Sequence, residues 1–381
     1  MIMSNMKFKD ISRVVFNAYV NEVCLDIALR NKFLASEPAA SFLPRYKMMV
    51  VLPYYKKYPC LISLGLWVAI VTLLPLLFVA SVFFTLLGVL YASFRRLPRY
   101  VDLEEEISFP VSNNFKLYNY LFSDFDRRQR FLCRGTFAFV KYFSVVDFTR
   151  AFFVVQGVLW RCLIRRYDKD IRFRDVALHM RDLISISCFA IFVAKLDFYG
   201  KRPITDSNLQ RWDFIISHLA PHSSLIQHAF IHGDIEFEAP FGRLGKLYVF
   251  DQLFVEVFSR YFSIEQIGKV APKINMYPCS TSKPTLFLAS SEPYLDIEIE
   301  FLRFVKGNFD YYVLVKLHPK HIYGEKVNAL TEMADELVGR SDFPDSDYMA
   351  SYDSFLGYEY KSLGKRVLFL KEGWSLSTIS S

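Results

Sequence analysis

The chain has 381 residues, of which 52 % are hydrophobic and 17 % aromatic, and a formal net charge of +7. That length fits two domains, and one membrane element in an otherwise soluble-looking sequence explains the mean hydropathy of +0.19. The excess base is spread over clusters at 95–99, 127–134 and 161–174 with no RNP-like or zinc-finger pattern. This speaks against nucleic acid and for an anionic leaflet or an anionic sugar nucleotide as partner.

Residues 1–59 form a first region. In ISRVVFNAYVNEVCLDIALRNKFL, within 1–46, apolar positions recur every three or four residues, which predicts an amphipathic helix. It is read as packed on the main domain rather than laid on a membrane.

Residues 60–94 follow without a single charge: CLISLGLWVAIVTLLPLLFVASVFFTLLGVLYASF. A bilayer core needs roughly 20 apolar residues as helix, so the run is long enough. It lies inside the chain and is not a cleaved signal. As one straight helix it would be roughly 50 Å long, too long for one unstrained crossing. Pro75 near its middle removes a backbone hydrogen bond. Arg45, Lys47, Lys56 and Lys57 precede it, and Arg95, Arg96 and Arg99 follow. Positive charge stays on the cytoplasmic side, so matching flanks predict a hairpin, with one kinked span as the alternative. The expected location is the cytoplasmic face of a membrane, the inner membrane if the source is bacterial.

Residues 95–204 read as a helical, membrane-proximal, acceptor-side region. VDLEEEISFPVSNN, 101–114, is acidic and ends in turn residues, hence a linker. The Phe-rich stretch 115–200 is broken by charge, so it predicts surface or membrane-lying helices and no second span. The six cysteines (Cys24, Cys60, Cys133, Cys162, Cys188 and Cys279) form no CxxC pair, which argues against a zinc site and a disulfide framework.

From 205 to 381 the pattern changes. WDFIISHL, SLIQHAFI, KLYVFD, PTLFLAS, YYVLVKLHP and KRVLFL are short β-type runs bounded by turns. EPYLDIEIEFLRFVKGN, GEKVNALTEMADELVGR and SYDSFLGYEYKSLG are helical. Alternation of the two predicts an α/β class with a doubly wound parallel sheet in this half. Ligands of such sheets bind beyond the carboxyl ends of the strands. The residues there are Ser290, Ser291 and Glu292, then His318, Lys320 and His321, and His232 and Asp234, with Gln227 and His228 inside the strand end before them. Ser351 and Ser354 open a helix whose amides can cradle phosphate. The plainer roles are helix capping for the serines and surface charge for Lys316 and Glu359.

The order of these features carries a resemblance. Residues 225–370 resemble the donor-binding half of GT-B-type glycosyltransferases and polymer phosphotransferases of bacterial surface polysaccharides. The matching pieces are His232-Gly233 or Gln227-His228, then Lys316-Leu317-His318-Pro319, then Ser351, Ser354, Glu359, Gly364 and Lys365. The resemblance implies a donor-phosphate role for Lys316, His318, Ser290, Ser291, Ser351, Ser354 and Glu359. It implies a transferase of capsule or lipopolysaccharide synthesis, taking a nucleotide-sugar donor and a lipid-linked or glycan acceptor.

Sugar transfer from a nucleotide needs the leaving diphosphate neutralised and the acceptor hydroxyl deprotonated. His318 with helix N-terminal amides suits the first task. His232, Asp234 or His228 suits the second, since histidine titrates near neutral pH. His232 is preferred, because Gly233 suggests that its strand ends near Ile231. Asp345-Ser346-Asp347 has metal-binding spacing but reads as a solvated loop pair, so no metal or cofactor is expected. The alternatives are a CDP-activated polyol-phosphate transferase and an inactive membrane adaptor that kept the fold.

Overall fold

The computed structural model describes residues 8–33, 57–95, 98, 100–111, 116–121, 130–133, 136–167, 171–206, 209–228, 235–291, 294–318 and 324–375. The flanking Arg45, Lys47, Lys56, Arg96 and Arg99 lie outside them. The protein is mixed α/β with parallel sheets and divides into two compact units. The first runs to residue 228 and includes 232–248 and 255–268; the second holds 249–254 and 269–381.

The first unit opens with helix α1 (Phe8–Phe33). Tyr19, Ala18 and Val15 are fully buried. Asn21 brackets the backbone of Ala239, donating to its carbonyl at 2.7 Å and accepting from its N–H at 3.1 Å. A helix tied in this way is core, as the spacing predicted. Buried His179 meets Asp26 of α1 at 2.9 Å.

Helix α2 (Pro59–Phe94) is one unbroken element containing Pro75, which overturns the hairpin. The run offers no turn residues beside that proline, and a helix satisfies its own backbone polar groups where side chains supply none. Its portion Ser63–Phe94 has a mean hydropathy of 2.6 over its most apolar window, of which 17 % is buried. Short helices α3 (Lys116–Leu121) and α4 (Thr136–Val140) follow. Then comes α5 (Val145–Ile164), opened by a capping box in which Asp147 accepts from the Ser144 N–H at 2.8 Å. Asp147 also pairs with Lys195 at 2.5 Å.

Helices α6 (Phe173–His179) and α7 (Leu183–Phe198) complete this layer. The stretch Phe173–Phe198 is also long and apolar enough to span a membrane, but 72 % of its window is buried. Phe189 and Phe192 of α7 anchor an aromatic cluster with Phe109, Phe131 and Phe139.

The sheet of this unit is β1 (Glu106–Phe109), β2 (Arg202–Thr205), β3 (Ser224–Ile226), β4 (Arg243–Val249) and β5 (Ser263–Lys269), in that spatial order. The first four strands pair in parallel. Helix α8 (Arg211–Leu219) precedes β3, and α9 (Gln252–Ser259) lies between β4 and β5 in sequence.

Three expectations are corrected here. The stretch 101–114 read as a linker holds strand β1. WDFIISHL is helix α8, not a strand. The boundary expected at 205 falls near residue 269, because β3, β4 and β5 complete the first sheet.

The second unit holds β6 (Tyr277–Pro278), β7 (Thr285–Ala289), α10 (Leu295–Asn308), β8 (Tyr312–Lys316), α11 (Glu325–Glu332), β9 (Glu336–Leu337), β10 (Pro344–Asp345), β11 (Tyr348–Ser351), α12 (Phe355–Ser362) and β12 (Arg366–Phe369). β6 pairs with β10; the main sheet has the order β12-β11-β7-β8-β9, all parallel. Every residue of central β7 is buried. Leu286 and Leu288 point to one face, among Leu295, Phe301 and Leu302 of α10 and Leu330 of α11. Phe287 and Ala289 point to the other, with Tyr360 of α12. Side chains alternate across a strand, so two helical layers cover the two faces and the sheet is doubly wound. This agrees with the expectation for the C-terminal half.

Candidate functional site

In chain order the main strands of the second unit are β7, β8, β9, β11 and β12. Their spatial sequence runs outward from β7 one way, then restarts beside β7 with β11. At such a reversal the connections leave to opposite faces and open a crevice beyond the carboxyl ends. The residues at that point are Ser290 and Ser291 after β7, and Ser351, Tyr352, Asp353 and Ser354 at the end of β11.

The loop after β7 is fixed from below. The Ser290 N–H donates to the Lys316 carbonyl at 2.9 Å. The Ser290 hydroxyl donates to Glu298 Oε2 at 2.5 Å, and the Ser291 N–H donates to Glu298 Oε1 at 2.9 Å. Glu298 is fully buried, and burial pushes its carboxyl up to about 7 against the opposing pull of these two bonds.

The loop after β11 is fixed by its own serines. Ser351 is the last strand residue, not a helix start, and its Oγ accepts from the Ser354 N–H at 3.3 Å. Ser354 is the N-cap of α12, its Oγ accepting from the Leu356 N–H at 3.3 Å. A Cβ on Gly357 would come within 2.9 Å of Ser351 Oγ and of the Phe369 ring, so glycine lets α12 approach β11. Tyr294, just before α10, stacks on Tyr352 with ring centroids 3.7 Å apart.

Beyond β12, Lys371 donates to Asp353 Oδ1 at 2.8 Å and to the Tyr358 hydroxyl at 3.0 Å. His318 follows β8 on the same carboxyl edge and is exposed.

Other predicted residues sit differently. The Lys316 ammonium donates to the carbonyls of Gly339, Arg340 and Asp342 at 2.7, 2.9 and 2.7 Å, and lies over the Phe343 ring. It anchors the segment after β9. Glu359 is buried within α12 rather than a surface acid. Of the Asp-x-Asp pair, Asp347 accepts from the Thr285 N–H and hydroxyl at 2.8 Å each, and Asp345 pairs with Lys365. Both lie at the amino edge of the sheet. A cavity of about 510 Å³ lined by Lys283, Asp347, Tyr348 and Arg366 also opens there, on the edge away from the serine loops.

His232 and Asp234 lie outside the described residues. His228 belongs to the first unit, two residues beyond β3. Burial lowers its pKa, and Asp206 opposes that. Asp206 directly follows β2, is buried, and accepts from the Val111 N–H at 2.6 Å. Tyr118 is fully buried, and burial and the nearby Asp206 carboxylate raise its phenol well above the usual value. Asp206 and Tyr118 were not foreseen; an Asp immediately after PIT was the available signal. Among the described residues no group of three or more His, Cys, Asp or Glu side chains is placed to hold a metal ion.

Comparison of the chain with protein-family models, with curated proteins and with solved structures gives no match.

Proposed function

We propose that this chain is a membrane-attached glycosyltransferase of GT-B type, moving a sugar from a nucleotide-sugar donor to a lipid-linked or polysaccharide acceptor. The observation that carries the reading is the strand reversal between β7 and β11, with serine-bearing loops on its carboxyl edge. The donor diphosphate sits against the amino end of α12, where the helix dipole favours an anion. His318, exposed on the same edge, donates to the leaving phosphate. Tyr294 and Tyr352 hold the two loops at a fixed separation. His228, His232 or Asp234 takes the proton from the acceptor hydroxyl. A parallel sheet in the first unit supports the two-domain reading, since it supplies the second strand-edge site that a two-substrate transferase needs. Helix α2 keeps the chain at a membrane, and the basic residues Lys57 and Arg95 at its ends favour the cytoplasmic face.

The test is nucleotide release by the full chain in lipid nanodiscs, across UDP-, GDP-, CMP- and CDP-activated donors with a lipid-linked glycan acceptor. Turnover with one nucleotide-sugar class is expected. Turnover only with a CDP-polyol gives the phosphotransferase instead, binding without turnover gives an adaptor, and no binding to any donor overturns the reading.

A further inference from the structure

Helix α2 does not stand free. Its buried and half-buried positions, Ser63, Leu66, Ile70, Leu77, Ser81 and Gly88 among them, recur at three- and four-residue spacing and form one stripe. That stripe docks on α5. Gln156 donates to Ser81 Oγ at 2.9 Å, the rings of Phe84 and Phe148 are 5.5 Å apart, and a Cβ on Gly88 would collide with the Phe148 ring. Nearer its start, Ser63, Trp67 and Ile70 close a small cavity with Arg174 and Leu178. The docked length from 63 to 88 is about 38 Å at 1.5 Å per residue.

A docked length of that size conflicts with a crossing. Any bilayer pierced by α2 along this stripe would also have to engulf α5 and α6, with Arg150, Arg161 and Arg174. Charged groups are costly in hydrocarbon. The outer faces tell the other half. On α2, Leu61, Leu64, Val71, Leu76, Phe83 and Leu87 are exposed. On α5 the exposed positions are Val145, Val146, Thr149, Phe153, Trp160, Leu163 and Ile164, and none is charged. At 100° per residue this face borders Phe148 and Gln156, which meet α2, so the two apolar surfaces adjoin. Cations sit at their limits: Lys57 beside Tyr58, Arg95 over the Tyr91 ring, and Arg165 and Arg166 at the end of α5. Aromatic and basic borders around a charge-free apolar face match an anionic membrane interface.

We propose that α2 and α5 together form one lipid-facing surface embedded in a single leaflet of an anionic bilayer, with α2 lying in its plane and both of its ends on the same side. The proposal rests on the membrane attachment in the reading above and is independent of the chemistry.

The test uses the full chain in vesicles of phosphatidylcholine and phosphatidylglycerol. Lys57→Cys and Arg95→Cys, each in a background with Cys60→Ser and Cys279→Ser, are probed with an impermeant maleimide. Trp160 is followed with brominated lipids in a variant carrying Trp67→Phe, Trp212→Phe and Trp374→Phe, which leaves it the sole tryptophan. Labelling of both sites from one side, with Trp160 quenched, is expected. Labelling from opposite sides means that α2 crosses, which overturns the proposal and leaves membrane attachment standing. An unquenched Trp160 overturns the role of α5, and a concentration-dependent dimer cross-linked at that face assigns it to a second copy. A chain that fails to float with vesicles overturns membrane attachment itself.

Discussion

Tyr294 and Tyr352 stack with ring planes 16° apart and centroids 3.7 Å apart, although 58 positions separate them in sequence. The pair joins the loop after β7 to the loop after β11, the two strands at the reversal of the sheet. An aromatic pair contributes about 1 kcal/mol beyond its buried area. Tyr352→Ala is therefore expected to weaken donor binding about fivefold with only a modest fall in thermal midpoint. Calorimetric titration beside thermal denaturation checks it, and unchanged affinity would separate the stack from the site.

Glu298 gives a pH signature. Its folded carboxyl titrates at about 7 and its unfolded one near 4.5. The native state binds the proton more tightly, so this contribution is fully present below pH 4.5 and is lost as pH rises through 7. A shift of that size corresponds to about 3 kcal/mol. Glu298→Gln should flatten the stability profile between pH 4.5 and 7 in urea titrations. A profile identical to the parent would mean that Glu298 ionises normally in the fold.

His318→Ala should lower turnover by roughly two orders of magnitude, the usual effect of losing one electrostatic stabiliser. Because His318 is exposed, circular dichroism and melting should stay unchanged. Near-parental turnover would remove it from the mechanism.

The base can be assigned by pH–rate profiles of His228→Ala, His232→Ala and Asp234→Ala. The variant lacking the base should lose the acidic limb. Should His228 be that base, the parental limb lies below the ordinary histidine value of 6.5, since burial lowers its pKa.

Asp147 both caps α5 and neutralises Lys195, at 1 % and 12 % side-chain exposure. Asp147→Ala strands a buried ammonium, which costs roughly 3–5 kcal/mol. Chemical denaturation should show that loss, and Asp147→Ala with Lys195→Met should recover part of it.

Strands β7, β8 and β12 were legible because PTLFLAS, YYVLVKLHP and KRVLFL are contiguous β-type runs between turns. β11 was not, since YMAS is four residues long and runs directly into the α12 segment. WDFIISHL misled because an eight-residue apolar run has no distinguishing period; its helix starts after Gln210 without a side-chain cap. β1 hid in an acidic stretch, its partner β2 nearly a hundred residues away. On the carboxyl edge, Ser290, Ser291 and His318 were visible from position after a strand, and Ser351 and Ser354 from the start of a predicted helix. Glu298, the tyrosine stack and Asp206 were not, because each acts through a contact that only the folded chain makes. Nor can sequence order show that three backbone carbonyls meet the Lys316 ammonium.

One titration decides whether the serine-bearing edge is a donor site: calorimetry of the full chain with UDP, GDP, CMP and CDP. One nucleotide should bind saturably, with affinity reduced about fivefold in Tyr352→Ala. The same affinity should persist in Arg366→Ala, which alters the cavity at the opposite edge of the same sheet. Binding lost in Arg366→Ala and kept in Tyr352→Ala would place the ligand at the amino edge, and no heat with any of the four would leave the second unit without a nucleotide site.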